Sequence, residues 1–532
     1  MTGLDIAVLA AYFVLIFGIG FSFARGNRSS QEYFLADRNV GWFAIGTSLF
    51  ATNISSEHFI GLAGSGATTG LAVGHFEWLA VFMVLTLGWV FTPFYLRSAV
   101  FTMPEFLERR YGPACRWYLT TVSVLAYIFT KISVSLYAGS LLLETLIGWD
   151  FYTSAVVMVV ATGVYTVAGG LSAVIYTELV QAIILLGGAI VLTLLGLNEV
   201  GGWGELRARV PADFFSMIRP VSHPDFPWTG IFFGAPILGL WYWCTDQAMV
   251  QRVLGASDET NARGGTMLAA LLKITPVFVL VLPGVIAKAL YPDVTGDNAY
   301  PLLVLRLLPS GLTGLMVAAL MAALMSSLAA TFNSSSTLVT FDVYRKLRPR
   351  ATDAQLVRVG QIATVLMVVL GILWVPFIRT LSSQMFVYLQ SVSAYISPPI
   401  AVVFLAGVFW PRATRQGAFT ALVAGALLGG ARFVLEVVKA RPLVADSAAL
   451  SYFVSINFLH FAVLLFVIAA LLLVVVSLAT PRPPASQLRG LTFATLEGGY
   501  ARSEAERASM RWQAPASIAL MLVVVVLWVV FR

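Results

Sequence analysis

The chain has 532 residues, of which 59% are hydrophobic and only 11% are charged. Soluble domains carry roughly 25% charged residues, and long apolar runs recur here from end to end, so the composition excludes a soluble protein and predicts a polytopic membrane protein. The net charge of +7 could suggest a nucleic-acid partner, but most basic residues fall in loops on one side of the predicted spans. That asymmetry is the positive-inside pattern, so we predict a lipid bilayer as partner and no nucleic acid.

Hydropathy predicts about fourteen spanning helices, because ~20 apolar residues cross a bilayer. In chain order they are expected near 3–24, 41–70, 76–97, 117–146, 151–168, 173–197, 229–251, 264–290, 311–343, 355–378, 384–409, 416–437, 452–478 and 513–531. The loop charges place both termini outside. No basic segment precedes the first span and no small-residue cleavage site follows it, so we expect a membrane helix rather than a cleaved signal.

The spans predict an all-α membrane bundle built on an inverted five-helix repeat. Five spans fall in 41–197 and five in 229–410, and an odd number of spans per half inverts the second half relative to the first. The other expected segments are a leading helix and cytoplasmic loop at 1–40, an outer loop at 198–228, two peripheral helices at 411–478, a cytoplasmic linker at 479–512 and a last helix at 513–532.

The first helix of the first half is expected to be interrupted. Four glycines occur in HFIGLAGSGATTG at 58–70, and irregular backbone survives at membrane depth only where protein buries it or a cavity adjoins it. Around this stretch lie polar residues that are costly in a bilayer and therefore usually functional. They are Asn53, Glu57, His58 and Glu77. Alternatively, the glycines form a packing face for a neighbouring helix.

The first helix of the second half carries a comparable signal. Asp246 and Gln247 lie in mid-span within WYWCTDQ at 241–247, which predicts an interruption there too. Interrupted helices at matching positions of inverted halves indicate the midplane binding site of a secondary transporter.

Two hydroxyls in a later apolar helix suggest a cation site. Ser326 and Ser327 could bind sodium, because this hard cation prefers oxygen ligands. The carbonyl of Ala323 and the hydroxyl of Ser327 can converge, since residues four apart share one helix face. Close helix packing is an equally good interpretation, because small residues recur at every fourth position from Ala318 to Ala330.

A second set of polar and aromatic residues is spread over five predicted spans. Amides and carboxylates bind hydroxyl groups, and aromatic faces cover the C–H surface of a sugar. The set comprises Asn53, His58, Glu77, Tyr242, Trp243, Lys273 and Gln390. Interhelical hydrogen bonding could explain any one of them, but seven together favour a site for a hydroxylated ligand.

Lys131 is expected to pair with a carboxylate such as Glu178, or to extend towards the membrane surface.

Several long stretches together carry a family resemblance. They include ATNISSEHFIGLAGSGATTG (51–70), YTVAGGLSAVIYTE (165–178), WYWCTDQAMVQR (241–252), MSSLAATFNSSSTLVTFDVY (325–344) and YLQSVSAYISPPIAVVFLAGVFW (388–410). Through these stretches the chain resembles the sodium/glucose cotransporters of the solute:sodium symporter family. The resemblance runs nearly from end to end of the chain. The resemblance implies the inverted five-helix fold and sodium-coupled uptake of a hexose, glucose or galactose-like, by alternating access.

The resemblance also implies roles for individual residues. Sodium would be bound by the carbonyls of Ala51, Ile54 and Ala323 and the hydroxyls of Ser326 and Ser327. Hexose would be bound by Asn53, His58, Glu77, Trp243, Lys273 and Gln390, with Tyr242 and Phe76 as gates and Ser393 beside the glutamine.

Four positions depart from the family pattern. Gly239 replaces a threonine or asparagine, Ser393 a threonine and Glu178 an aspartate, whereas Ala329 stands where two-sodium members have a threonine. The resemblance therefore predicts one sodium per sugar and leaves the preferred sugar open.

Alternatives within the same fold are a myo-inositol symporter and a glucose sensor in which sugar opens a sodium current. A membrane enzyme is disfavoured, because the sequence shows no metal-ligand spacing, P-loop or nucleophile elbow. No obligate protein partner is inferred. Compact outer loops without a glycosylation site predict a bacterial inner membrane.

Overall fold

The computed structural model describes residues 2–22, 34, 38–55, 58–98, 100–294, 296–378, 385–439, 441–496 and 504–532. The described chain is helical, and its only β pairing consists of the isolated bridges Val40–Ala256 and Arg219–Pro227. Glu57, one of the polar residues noted above, lies outside the described residues.

The first half of the chain forms a leading helix, a short interrupted helix and a group of long apolar helices. The α-helices are α1 (Gly3–Ser22), α2 (Trp42–Asn53), α3 (Ala63–Thr69), α4 (His75–Thr86), α5 (Thr92–Ser98), α6 (Met103–Tyr111), α7 (Pro113–Ala126), α8 (Ser133–Ile147), α9 (Phe151–Val200) and α10 (Trp203–Arg209). Turns of π-helix at His58–Leu62, Leu87–Phe91 and Tyr127–Ile132 link neighbouring α-helices.

The second half repeats the pattern of an interrupted helix followed by long ones. Its α-helices are α11 (Trp228–Phe233), α12 (Ala235–Cys244), α13 (Gln247–Leu254), α14 (Glu259–Leu272), α15 (Leu282–Leu290), α16 (Ala299–Leu307), α17 (Leu312–Leu338), α18 (Arg345–Leu347), α19 (Asp353–Ile378), α20 (Met385–Phe409), α21 (Arg415–Val437), α22 (Pro442–Ala445), α23 (Ala448–Ser455), α24 (Phe458–Ala479), α25 (Phe493–Leu496) and α26 (Glu504–Val530). Further π-helical turns lie at Val277–Val281 and Val339–Tyr344.

Ten helical stretches of the described chain are long and apolar enough to cross a membrane. One expected boundary is absent, because the predicted spans 151–168 and 173–197 fall in the single 50-residue helix α9. A straight helix of that length would measure about 75 Å, more than twice the ~30 Å hydrocarbon core of a bilayer. This one element therefore has the length of two spans, without a loop between them.

The interruption in the first half lies before the glycine-rich stretch. Helix α2 ends at Asn53, and Ile54 has extended backbone (φ −75°, ψ 110°). Residues 58–69 are helical again, and α3 ends just before Gly70, which has a φ of 73°. The prediction that the glycines form the break is therefore wrong for Gly61, Gly64 and Gly66. They serve close packing instead: a Cβ on Gly61 would lie 2.7 Å from Phe386 Cβ, and one on Gly64 would lie 2.7 Å from Asp297 Oδ1.

The interruption in the second half lies where the sequence predicts it. Helix α12 ends at Cys244, and α13 begins at Gln247 with Asp246 as its N-cap. The Asp246 carboxylate accepts a hydrogen bond from the backbone nitrogen of Ala248 at 3.0 Å, which satisfies one of the free N–H groups of the new helix. Helices α9 and α17 pack together in the centre of the bundle, with α1, α2 and α19 against α9.

Candidate substrate and sodium sites

All nine residues expected to contact substrate line one cavity between α4, α12 and α20. They are Asn53, His58, Phe76, Glu77, Tyr242, Trp243, Lys273, Gln390 and Ser393. The helix ends position several of them: Asn53 is the last residue of α2, and Lys273 follows the end of α14. Glu77 lies in the first turn of α4, where a negative charge is favoured by the helix dipole.

Opposite charges meet in the lining of this cavity. Lys273 Nζ donates hydrogen bonds to Asn53 Oδ1 and to Glu77 Oε2, and His58 Nε2 lies 3.5 Å from Glu77 Oε1. Lys273 is 1% exposed and Glu77 2%. Buried charges are tolerated when they are paired and hydrogen-bonded. The pair leaves the cavity nearly neutral while presenting both donors and acceptors, as a polyhydroxylated ligand requires.

An amide and an aromatic ring complete the polar part of the cavity. Within the described part of the chain, the Gln390 side chain has no hydrogen-bond partner, so both its donor and its acceptor are available to a ligand. The Trp243 ring lies 5.7 Å from Lys273 Nζ. The Ser393 hydroxyl donates to Leu389 O at 2.8 Å in its own helix, which leaves its oxygen able to accept a hydrogen bond from a ligand.

Aromatic rings separate the cavity from a smaller one beside the loop 198–228. The Phe76 ring lies 5.6 Å from that of Phe386 and 6.1 Å from that of Phe226, measured between centroids. Phe386 lines both cavities. Tyr242 lies at another edge of the central cavity, and its hydroxyl accepts from Asn53 Nδ2 at 3.2 Å. Both residues expected to act as gates thus form part of the cavity boundary.

Lys131 pairs with a different carboxylate from the one suggested by the sequence. Its Nζ lies 3.0 Å from Asp246 Oδ1 and 4.9 Å from the centroid of the Tyr242 ring. Lys131 itself sits in a π-helical turn and lines the central cavity. The ammonium group therefore contacts both Asp246, at the interruption between α12 and α13, and the ring of Tyr242 beside the cavity. It does not extend towards the membrane surface.

We expect Lys131→Met to destabilise the protein by about 3 kcal/mol, because Asp246 would remain buried and charged without its partner. Thermal unfolding of the purified protein in detergent measures the loss. The double variant Lys131→Met/Asp246→Asn should recover most of it, since asparagine still caps α13. If Lys131→Met unfolds at the same temperature as the wild type, this ion pair contributes nothing to stability.

The two serines expected to bind sodium contact the end of α2. Ser326 Oγ donates to Ala51 O at 2.6 Å and Ser327 Oγ donates to Thr52 O at 3.1 Å. The last carbonyls of a helix lack intrahelical partners, so these oxygens are available both to the hydroxyls and to a cation. The Thr52 carbonyl was missing from the predicted set. For Ile54, at the α2 cap, and Ala323, one turn before Ser327, the assignment as a ligand remains a prediction.

Glu178 is held by a buried guanidinium. Its Oε1 accepts from Arg252 Nη2 at 3.0 Å and from Thr52 Oγ1 at 2.8 Å, while Ser48 Oγ donates to Oε2. Glu178 and Arg252 are both fully buried. The Glu178–Arg252 pair thus contacts α2 at Ser48 and at Thr52, the residue next to Ala51. The sequence did not identify Arg252 as the partner of Glu178.

Helices interrupted at matching positions of two halves, with polar side chains from both halves around one cavity, are the features of a secondary transporter. A family model described as the sodium:solute symporter family matches residues 33–425, and the chain belongs to this family. It is a multi-pass membrane protein of a transporter family, not an enzyme.

Curated relatives cover most of the chain. It is 44% identical to the sodium/mannose cotransporter of Bos taurus, over 93% of this chain and 90% of that protein. It is 42% identical to sodium/glucose cotransporter 4 of Homo sapiens, over 92% of this chain and 78% of that protein. It is 41% identical to the sodium/myo-inositol cotransporter of Homo sapiens, over 92% of this chain and 75% of that protein.

A solved structure shows the same fold. A Na⁺-coupled sialic acid symporter in its substrate-bound outward-open state superposes with a TM-score of 0.77 and 21% identity, over 90% of this chain and 99% of that one. The two proteins share their arrangement of helices.

Proposed function

We propose that the protein couples inward sodium movement to uptake of a neutral hexose, glucose or galactose-like, by alternating access. One observation supports this most directly: three consecutive residues at the end of α2 serve both sites. Ala51 and Thr52 offer carbonyls to the two serines, and Asn53 offers its side chain to the central cavity. A cation held by those carbonyls would fix the helix end that presents Asn53 to the sugar, so each ligand would favour binding of the other.

The direct test is uptake of labelled monosaccharides into proteoliposomes in sodium or potassium buffer. We expect sodium-dependent uptake of glucose or galactose that unlabelled hexose inhibits. The 41% identical relative named as a sodium/myo-inositol cotransporter makes myo-inositol the second candidate, so the panel includes it together with mannose. Uptake that is equal in both buffers for every sugar would overturn the proposal.

We further propose that sodium is bound by Ala51, Thr52, Ser326 and Ser327, with the carbonyls of Ile54 and Ala323 as the remaining ligands. We also propose that both termini face outside in a bacterial inner membrane. The hydroxyl–carbonyl pairs support the ion site, and the excess of basic residues in alternate loops supports the orientation. Cysteine labelling from one side of intact cells at Thr2 and at Arg532 would test the orientation.

The proposed stoichiometry is one sodium per sugar. Ala329 offers no side-chain oxygen, and Arg252, Thr52 and Ser48 already engage the Glu178 carboxylate, so a second cation would lack ligands. One sodium entering down 100 mV supplies about 2.3 kcal/mol, which supports about 50-fold accumulation from voltage alone. Two ions would support about 2,500-fold.

Paired sodium and sugar fluxes in vesicles decide the ratio. We expect a value near one in the wild type and in Glu178→Gln, because that carboxylate holds an arginine and not an ion. A ratio near two, or a sigmoidal dependence on sodium, would contradict a single site.

A further inference from the structure

One wall of the substrate cavity is apolar. It consists of Ala80, Met83, Ala235, Leu238 and Gly239, from the facing helices α4 and α12. Met83 lies six residues after Glu77 on the same helix, a rise of about 9 Å. The apolar wall therefore begins one turn beyond Glu77, at Ala80, and lines the same cavity as the Glu77–Lys273 pair.

Met83 occupies the space that a side chain at position 239 would need. A Cβ on Gly239 would lie 2.7 Å from Met83 Cγ and 3.5 Å from its Sδ. The Met83 carbonyl accepts a hydrogen bond from Cys244 Sγ at 3.5 Å, which ties this part of α4 to the end of α12. Met83 is only partly buried, and its unbranched thioether can adapt to irregular apolar surfaces.

We propose that Met83 and Gly239 determine which monosaccharides the site selects, and that the apolar wall favours deoxyhexoses. This inference rests on the proposed hexose transport. A site that hydrogen-bonds a hydroxyl rejects the analogue lacking it, because the buried polar groups of the protein lose their partner. The apolar wall has no such groups to leave unpaired. A sugar hydroxyl placed against Met83 would instead lose water without gaining a hydrogen bond.

Competition with labelled glucose by its 2-, 3-, 4- and 6-deoxy derivatives tests the proposal in proteoliposomes under a sodium gradient. We expect one derivative, the one whose missing hydroxyl faces the apolar wall, to compete at least as well as glucose. The other three should compete about tenfold less well or worse, because each leaves a polar group of the cavity unpaired. If all four derivatives lose affinity while glucose uptake is normal, the inference fails and hexose transport stands. If no hexose is taken up with sodium, both the proposed hexose transport and the proposed selectivity are wrong.

Variants at position 83 locate the effect. Met83→Gln has a similar length but carries an amide, so it should shift the preference towards glucose over the favoured derivative by about tenfold. Met83→Leu is the matched apolar control and should keep the preference of the wild type. Should Met83→Gln fail to reach the membrane, the double variant Gly239→Ser/Met83→Ala supplies a hydroxyl in the vacated space and should produce the same shift. An unchanged ranking in the variant that is expressed would overturn the proposal.

Discussion

Replacing Glu77 with alanine should weaken hexose binding by ~1–3 kcal/mol, about 5- to 150-fold, because bound hydroxyls lose an acceptor while Lys273 loses its buried partner. Gln390→Ala should have an effect of the same size, since the Gln390 amide has no hydrogen-bond partner within the described part of the chain and can bind sugar hydroxyls. Trp243→Ala should weaken binding as well by removing the aromatic face. Equilibrium binding of labelled sugar to purified protein measures each change.

A matched control on the same helix separates binding from general damage. Ser391 lies one residue from Gln390, but its hydroxyl donates to Val387 O at 2.8 Å within the helix. Ser391→Ala should therefore bind sugar like the wild type. The isosteric Glu77→Gln keeps the volume of the side chain and tests the charge alone. If labelled sugar still binds normally to Glu77→Ala, Gln390→Ala and Trp243→Ala, the substrate site lies elsewhere.

Replacing Ser327 with alanine should raise the sodium concentration for half-maximal uptake about tenfold, equivalent to ~1.4 kcal/mol. The substitution removes one of the oxygens that replace the hydration shell of the ion. Ser326→Ala should act in the same direction, because its hydroxyl contacts the carbonyl of Ala51. Uptake at fixed sugar over a series of sodium concentrations provides the measurement.

Ser334 supplies the control for the sodium variants. It lies two turns further along α17, and its hydroxyl donates to Ala330 O at 2.8 Å within the helix. Ser334→Ala should leave the sodium dependence unchanged. If Ser326 and Ser327 only pack small side chains against α2, their alanine variants will behave like this control, and the sodium assignment is then wrong.

The general architecture was predictable because the bilayer penalises polar groups so strongly. Asp246 stands out in an apolar run for that reason, and it does cap the helix after the second interruption. Asn53, Glu77 and Lys273 stand out in the same way, and they lie together around one cavity. The residues alone also placed His58, Tyr242, Trp243 and Gln390 in this set. Only Phe76 and Ser393 came from the resemblance to sodium/glucose cotransporters.

Details that depend on how helices approach one another were not predictable. Gly61 and Gly64 look like helix breakers in sequence, yet both lie within helix and allow close packing by Phe386 and Asp297. The partner of Lys131 depends on the approach of a π-helical turn to Asp246, which no local pattern encodes. Met83 is an ordinary apolar residue in the sequence. Only the packing of α4 against α12 brings it next to Gly239 in the cavity wall.

We expect sodium and sugar to cross the membrane together. The most direct measurement follows labelled sodium and labelled glucose simultaneously in the same proteoliposomes at a clamped membrane potential. Cotransport predicts that each flux requires the other solute, that the two fluxes remain near one to one, and that sugar accumulates above its outside concentration. A sodium flux that sugar opens while no sugar accumulates would contradict it, and would identify the protein as a sugar-gated sodium channel of the same fold.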